Sequence, residues 1–377
     1  MSASTLSAED VRRALSIRDL TDPAQGSHAM QLLVDACVEG LARAWGCARR
    51  VHRASPIVSV ADNYDRLRYP PEGPARDARY TRYVCDVAVL RTQTSAMIPA
   101  LLCEHAGGDV ADVLLACPGL VYRRDCIDRM HTGEPHQLDL WRVRRGVGRL
   151  GEQDLRAMIR IVVEAALPGR EWRVVPAEHP YTIEGLQIDV RGGEQWVEIG
   201  ECGLAHPELL EASGLRECTG LAMGLGLDRL LMLRKGIEDI RLLRHTDARI
   251  AEQMVDLAPY HAVSVMPPMR RDLSIVTRCD TTAEELGDRV RAALVDRAEV
   301  VEAIEVVGET SYEALPPVAR ERLRLGPNQK NVLLRVVLRD LSRTLTHAEA
   351  NALRDAVYAA VHEGSVMEWA TRATPGV

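Results

Sequence analysis

Three side chains in the stretch Gly119–Val143 (GLVYRRDCIDRMHTGEPHQLDLWRV) have the types and spacing to bind a small molecule of mixed charge: Arg123, Gln137 and Asp139. A cation, an amide and a carboxylate on one surface suit a substrate with both anionic and ammonium groups. The elements that must gather them are written in the same stretch. LVYR is apolar and β-branched, HQLDLWRV alternates with a period of two, and TGEP between them carries turn chemistry. The alternation puts Gln137, Asp139 and Trp141 on one face of the second strand, and His136, Leu138 and Leu140 on the other. Arg123, at the end of the first strand, is then expected over the face that carries Gln137 and Asp139. Taken alone, the same pattern also describes a solvated hairpin with ordinary surface charges.

As a motif, Tyr122-Arg123-Arg124-Asp125, His131 and His136-Gln137-Leu138-Asp139 resemble motif 2 of the class II aminoacyl-tRNA synthetases. The best match is to phenylalanyl-tRNA synthetase, whose loop is flanked by a YR-x-E/D segment and an FHQ-x-E-G strand. Two further blocks agree in order and spacing. One runs from Asn63-Tyr64-Asp65 through Gly73-Pro74-Ala75-Arg76-Asp77 to Leu90-Arg91-Thr92-Gln93-Thr94-Ser95. The other, Gly220-Leu221-Ala222-Met223-Gly224-Leu225-Gly226-Leu227-Asp228-Arg229, is similar to motif 3.

Length and composition set the frame. A chain of 377 residues predicts two or three domains. Its formal net charge of −7 argues against a wholly basic nucleic-acid binder and leaves room for a local basic face. Nine cysteines without a CxxC pair indicate neither a disulfide framework nor a zinc site. They read as buried thiols of a reducing compartment, and with no apolar leader or membrane-length run the expected location is cytoplasmic.

Along the chain, residues 1–50 read as helical, with Ser7 and Asp10 at capping-box spacing, and with a helix after Ser27 whose stripe is Leu33, Cys37, Leu41 and Trp45. Residues 51–246 mix strands and helices in the order of an α+β antiparallel sheet, the kind of core the resemblance implies. Residues 247–265 form a linker. From Met266 a second pattern starts, β-α-β-β-α-β with a short last strand near Val366, which is ferredoxin-like. The wording of 266–377 also resembles the anticodon-binding domain of phenylalanyl-tRNA synthetases, in the single-chain, organellar-like arrangement.

The resemblance implies roles residue by residue. Arg123 matches the motif 2 arginine that holds the α-phosphate of ATP and the substrate carboxylate, and Arg229 the motif 3 arginine on the γ-phosphate. Both are expected to be catalytic. His131 matches a loop histidine that contacts phosphate, and Asp125 an acid near the adenine. Asp189 and Glu198 match acids that hold Mg2+. Gln93, Ser95, Gln137 and Asp139 fall on the groups that take the amino acid's ammonium, two unchanged and two altered. In the side-chain pocket the family's FPF pair is matched to Val175-Pro176-Ala177, and its GFAFG floor to the segment containing Ala222. Phenylalanine is therefore not assured, and a larger or differently shaped amino acid is as plausible. A solvent-facing Glu201 is expected beside Cys202.

If the C-terminal domain holds an anticodon, Lys330, Arg335, Arg339 and Arg343 are the expected tRNA contacts, provided they share a face. Against this, residues 261–377 carry 15 Lys and Arg and 17 Asp and Glu, a net of −2. The leading reading is ATP-dependent activation of an amino acid and its transfer to tRNA by a monomer or homodimer. The alternatives are a relative that charges a non-tRNA acceptor, and an inactive relative that binds tRNA or protein.

The chain contains no Phe, where its length would ordinarily give about ten. Compositional drift in an Arg- and Ala-rich sequence is one explanation. The other is that the protein can be made when charged tRNA for phenylalanine is scarce. Expression during phenylalanine starvation separates them: under the second explanation, variants with Phe restored at several positions express less than the natural chain, and equal expression removes it.

Overall fold

A computed structural model of the chain describes residues 5–108, 111–146, 148–263 and 267–367. The chain divides into two compact units, Met1–Arg123 with Glu134–His261, and Arg124–Gly133 with Ala262–Val377. The first unit contains ten strands: β1 (Ala48–Val51), β2 (Ile57–Ser59), β3 (Tyr83–Cys85), β4 (Ala88–Leu90), β5 (Asp112–Leu120), β6 (His136–Arg145), β7 (Trp172–Pro176), β8 (Thr182–Gly192), β9 (Gln195–Ala205) and β10 (Cys218–Gly226). Seven form one sheet in the order β1-β5-β6-β10-β9-β8-β7, and β2-β4-β3 form a small second sheet. In the large sheet only the β1–β5 pairing is parallel. The unit is a mixed α+β structure on a large antiparallel sheet.

The strands before and after residues 121–135 differ from expectation at one end. β5 stops at Leu120, so Tyr122 and Arg123 lie beyond the strand. A close approach fixes the stop: at Gly119 a Cβ would stand 2.2 Å from the buried Arg91 guanidinium. Arg91 donates through Nε to Leu120 O at 2.7 Å and through Nη1 to Ala54 O at 3.1 Å.

The alternation read in β6 holds. Trp141 is buried with Leu115, Cys117, Ala222, Met97, Ile98 and Leu101 on one face. The helices Ala29–Trp45, Glu152–Ala166 and Leu227–Lys235 pack together and against the sheet. Leu33, Cys37 and Leu41 are buried along the first of these, which starts just after Ser27 as expected, with His28 as its N-cap. The last ends at Gly236 in the left-handed conformation.

The second unit holds β11 (Met269–Arg278), β12 (Val301–Ser311) and β13 (Gln329–Leu338), antiparallel in the order β11-β13-β12. Helices Ala283–Leu294 and His347–Val361 start with the expected capping boxes at Thr282/Glu285 and Thr346/Glu349. A further short helix, Pro317–Leu323, precedes β13. Residues 264–266, where the second pattern was expected to start, lie outside the described residues. No strand forms at Val366 among the described residues.

The segment Arg124–Gly133, expected as the polar loop of a hairpin in the core, is part of the second unit. Ile127 joins its apolar core with Leu273, Ile275, Leu286 and Leu353, and its carbonyl accepts the Ile304 N–H at 2.9 Å. Arg291 donates to the carbonyls of Asp125 and Cys126, each at 2.7 Å. Among the described residues, no helix is long and apolar enough to cross a membrane.

One buried pair joins strand to helix in the first unit. Asp228, in the first turn of Leu227–Lys235, accepts the His136 backbone N–H at 2.5 Å and faces His136 Nδ1 at 3.0 Å. His136 Nε2 lies 3.1 Å from the Leu20 N–H and 3.0 Å from Arg244 Nη2. Those two donors assign the ring proton to Nδ1. Removing the ring leaves a buried carboxylate short of a donor, which costs about 3 kcal/mol. His136→Ala is expected to lower the chemical unfolding midpoint accordingly, while Leu15→Ala, at an exposed position, leaves it unchanged.

Candidate functional site

The segment Arg91–Ser95 is the frame of the site. The buried Asn63 carboxamide donates to Thr92 Oγ1 at 2.9 Å and accepts the Thr92 N–H at 3.1 Å. The segment so fixed holds the predicted residues in turn. The Thr92 carbonyl accepts from Arg123 Nε at 2.8 Å, the Thr94 N–H donates to Gln137 Oε1 at 3.2 Å, and Ser95 Oγ donates to Asp139 Oδ2. Gln93 is placed differently from expectation. It is buried, donates to Asn63 O at 3.0 Å and accepts the Tyr69 hydroxyl at 2.9 Å, so it braces the site.

Asp139 is 3% exposed, and no cation pairs with it among the described residues. Burial pushes its pKa up to about 6, although the Ser95 hydroxyl and the Trp141 indole N–H both favour the charged form. Opposite it on β10 is Gly224. A Cβ there would lie 3.7 Å from Asp139 Oδ2, so the glycine keeps the approach to the carboxylate open. The register continues the row to Glu201 on β9, Gln187 on β8 and Val175 on β7. Directly paired residues share a sheet face, so Asp139 and Glu201 flank Gly224 on one side of the sheet.

Arg123 is exposed and Arg229 half-buried. Each is held by one backbone carbonyl, Arg229 Nη1 by Glu198 O at 2.9 Å, and neither pairs with a carboxylate among the described residues. Both act on Glu198. Burial and Glu201 raise its pKa, while Arg229 and Arg123 pull it down and Asp189 opposes them. A one-residue bulge at Ile199 puts Glu198 on this face: Ile188 pairs with Gly200 but Asp189 pairs with Glu198. The Glu198 carboxylate is free to ligate a cation. Asp189 is not, because it is buried and bonded to Arg173 and to Gln187 at 2.9 and 2.7 Å.

The side-chain pocket needs a correction. Val175 stands four strand spacings from Asp139, roughly 19 Å, on the edge strand and 37% exposed. Ala177, just past β7, bonds back to Gly185 O. Neither lines the site. The rings that do belong to His179-Pro180-Tyr181, four residues further on. Tyr181 stacks on Trp141 with centroids 6.0 Å apart, and Tyr69 and His179 approach it at 6.3 and 6.0 Å. Burial raises the Tyr181 pKa well above its usual value, and Tyr69 and Asp139 add to the rise. Ala222 is buried opposite Trp141, as the floor position requires. Glu201 is not simply solvent-facing, since its Oε2 lies 2.6 Å from His179 Nε2. A ring on each side of a proline was the signal for this pair, and it occurs once, at 179–181.

Asp125 and His131 are described with the second unit. Asp125 accepts the Cys126 N–H at 2.9 Å. His131 Nδ1 faces Asp128 at 2.8 Å, and its hydrogen bonds to Asp128 and then to Cys126 lift its pKa to about 10. Cys126, Asp128 and His131 offer ligand atoms within 4.8 Å of one another. The expected tRNA contacts do not gather. Lys330 and Arg335 are five residues apart on β13 and so point to opposite faces. Each of the four cations is paired: Lys330 with Glu309, Arg335 with Asp272, Arg339 with Glu302, Arg343 with Glu349.

The antiparallel sheet, with its site framed by a hairpin, a 3-10 turn and a helix start, is consistent with a class II synthetase core. A family model described as tRNA synthetases class II core domain (F) matches residues 25–254, more than half of the chain, and the chain belongs to that family. Among its relatives, the phenylalanine–tRNA ligase alpha subunit of Streptococcus thermophilus is 33% identical over 206 residues, 51% of this chain and 58% of that protein. The subunit of the same name from Prochlorococcus marinus is 31% identical over 242 residues, 62% and 69% of the two chains. The chain thus spans less than two thirds of the Streptococcus relative. A solved pyrrolysyl tRNA synthetase from Desulfitobacterium hafniense aligns with a TM-score of 0.44 at 19% identity, over 64% of this chain and 80% of that one.

Asp139 gives a test with a definite sign. Its folded pKa, about 6, lies above the ordinary carboxyl value of 3.8, so ionisation favours unfolding. The penalty grows as pH rises from about 4 to 6 and is complete above that. Asp139→Asn is expected to raise stability by roughly 1–3 kcal/mol at pH 7.5, with the gain vanishing below about pH 4. Melting curves across that range check it.

Proposed function

We propose that the first unit activates an amino acid with ATP as an aminoacyl-adenylate and that the whole protein passes it to tRNA. A substrate carboxylate oxygen attacks the α-phosphorus, the bond to the β-phosphate oxygen breaks, and pyrophosphate leaves. The acceptor hydroxyl then attacks the carbonyl carbon and AMP leaves. The step needs fixed positive charge and orientation more than covalent help. One observation carries the reading: among the described residues Arg123 rests on the Thr92 carbonyl and Arg229 on the Glu198 carbonyl, and neither is paired to a carboxylate.

In this mechanism Arg123 holds the α-phosphate and the substrate carboxylate. Arg229, at a helix start that also favours anions, holds the γ-phosphate. Asp139, Ser95 and Gln137 take the ammonium, braced by Gln93. Asp125 and His131 act at the nucleotide, His131 as a cation at neutral pH. Mg2+ bound at Glu198, with Asp189 behind it, would neutralise phosphate charge. The domain limits 51–246 and 266–377 go with this reading. The strand order β11-β13-β12 and the two capped helices support a ferredoxin-like, anticodon-binding second domain. Nine unpaired cysteines support a reducing, cytoplasmic setting.

A second reading keeps the activation and replaces tRNA by another acceptor, a carrier protein or a small molecule. The ion pairing of Lys330, Arg335, Arg339 and Arg343 favours it. Amino-acid-dependent exchange of pyrophosphate into ATP tests the activation, and charging of a total tRNA pool tests the acceptor. Arg123→Ala and Arg229→Ala are each expected to lower exchange about 10²- to 10³-fold with melting unchanged. Undiminished exchange in either variant sinks the assignment of that arginine, and no exchange with any amino acid selects a binding protein.

A further inference from the structure

The face that holds Asp139 carries a second carboxylate, Glu201, one strand beyond Gly224. Two strand spacings separate their backbones, roughly 10 Å, with no side chain on the glycine between them. Around this span stand Tyr181 and, with rings 6.3 and 6.0 Å from it, Tyr69 and His179, with Trp141 and Ala222 beneath. Glu201 reaches the same rings, because the His179 it contacts lies with its ring 6.0 Å from that of Tyr181. His179 Nε2 holds one Glu201 oxygen at 2.6 Å, and the carboxylate remains 43% exposed. A pocket that received only a hydrocarbon ring would bury the other Glu201 oxygen against it without a partner, at about 1–3 kcal/mol or more for a charged group.

We infer that the amino acid taken by this site has a side chain ending in a hydrogen-bond donor, and that Glu201, oriented by His179, reads that donor. The inference rests on the adenylation reading above. Aromatic faces beside a carboxylate tolerate a flat or a cationic group equally, so the donor is the required feature. A site built to bond a donor rejects the analogue that lacks it far more strongly than an apolar pocket rejects an added hydroxyl.

Pyrophosphate exchange with the full chain, run with tyrosine, histidine, glutamine, lysine and arginine against phenylalanine, leucine and methionine, tests it. At least one donor-ended amino acid is expected to exceed every donor-free one by about 10²-fold in kcat/KM. Glu201→Gln and Glu201→Gly are expected to shrink that ratio to within about tenfold by raising the amino acid's KM, leaving the KM for ATP in place. His179→Phe, which keeps a ring, does the same if His179 orients the carboxylate, and melting curves establish that each variant folds. Exchange that is equal or faster with phenylalanine, leucine or methionine overturns the inference and leaves the adenylation reading standing. An undiminished ratio in Glu201→Gln and Glu201→Gly also overturns it. Exchange with none of the amino acids removes the adenylation reading, and this inference with it.

Discussion

The site depends on one carboxylate that never meets a ligand. Asp228 is buried where the helix Leu227–Lys235 begins and β6 starts, and it bonds both the backbone and the ring of His136. Burial pushes its pKa up, but His136 and Arg244 outweigh it and hold the acid below its usual value. A negative charge in the first helical turn is also favoured by the helix dipole. The neighbours in sequence do the rest. Gln137 follows His136 and so turns to the opposite face of the sheet, while Arg229 follows Asp228 about 100° around the helix. Fixing Asp228 to His136 on one side therefore fixes Arg229 and Gln137 on the other.

The opposite face is left electrostatically incomplete. Asp139 is buried without a cation, Glu198 is raised by burial and by Glu201, and two arginines rest on single carbonyls. Elsewhere buried charges meet a counter-ion, as Arg142 with Asp112 at 2.7 Å and Arg241 with Asp239 at 2.6 Å, or backbone carbonyls, as Arg91 does. A buried charge without a partner destabilises the free protein. It persists where a ligand supplies the partner, so local rules of polar satisfaction fail here and hold in the frame around it. Asn63 makes the same point from the other side. Every bond it contributes goes to the chain itself, and it makes the 91–95 segment stiff enough to present Ser95 and the Thr92 carbonyl.

The features legible in the sequence were those set by short-range periodicity. The face shared by Gln137, Asp139 and Trp141 follows from counting by two, the capping boxes from residue types three apart, and the stop at Gly236 from the left-handed region glycine tolerates. What was not legible depends on register. The bulge at Ile199 moves Glu198 to the ligand face, and no pattern within WVEIGECGL announces an extra residue. Proline occurs at both 176 and 180, and only the pairing of β7 with β8, itself paired on its other side with β9, shows that the first lies at the sheet edge. Ile127 is the one branched aliphatic residue of a charged segment, which reads as loop until a core in another part of the chain receives it.

Charge in the second unit shows the limit of counting in a different way. A cluster of cations in sequence became four separate ion pairs: the strand β13 sends Lys330 and Arg335 to opposite faces, Arg339 and Arg343 lie beyond it, and each cation meets a different acid. Exposed pairs such as Arg335 with Asp272 are screened by solvent, so a polyanion could displace the acid at little cost. Convergence is the stronger constraint. Counterion release rewards a row of cations along a phosphate backbone, and Lys330 and Arg335 cannot belong to one row on β13. Any RNA surface on this unit must be built from other residues, or from shape and hydrogen bonding more than from charge.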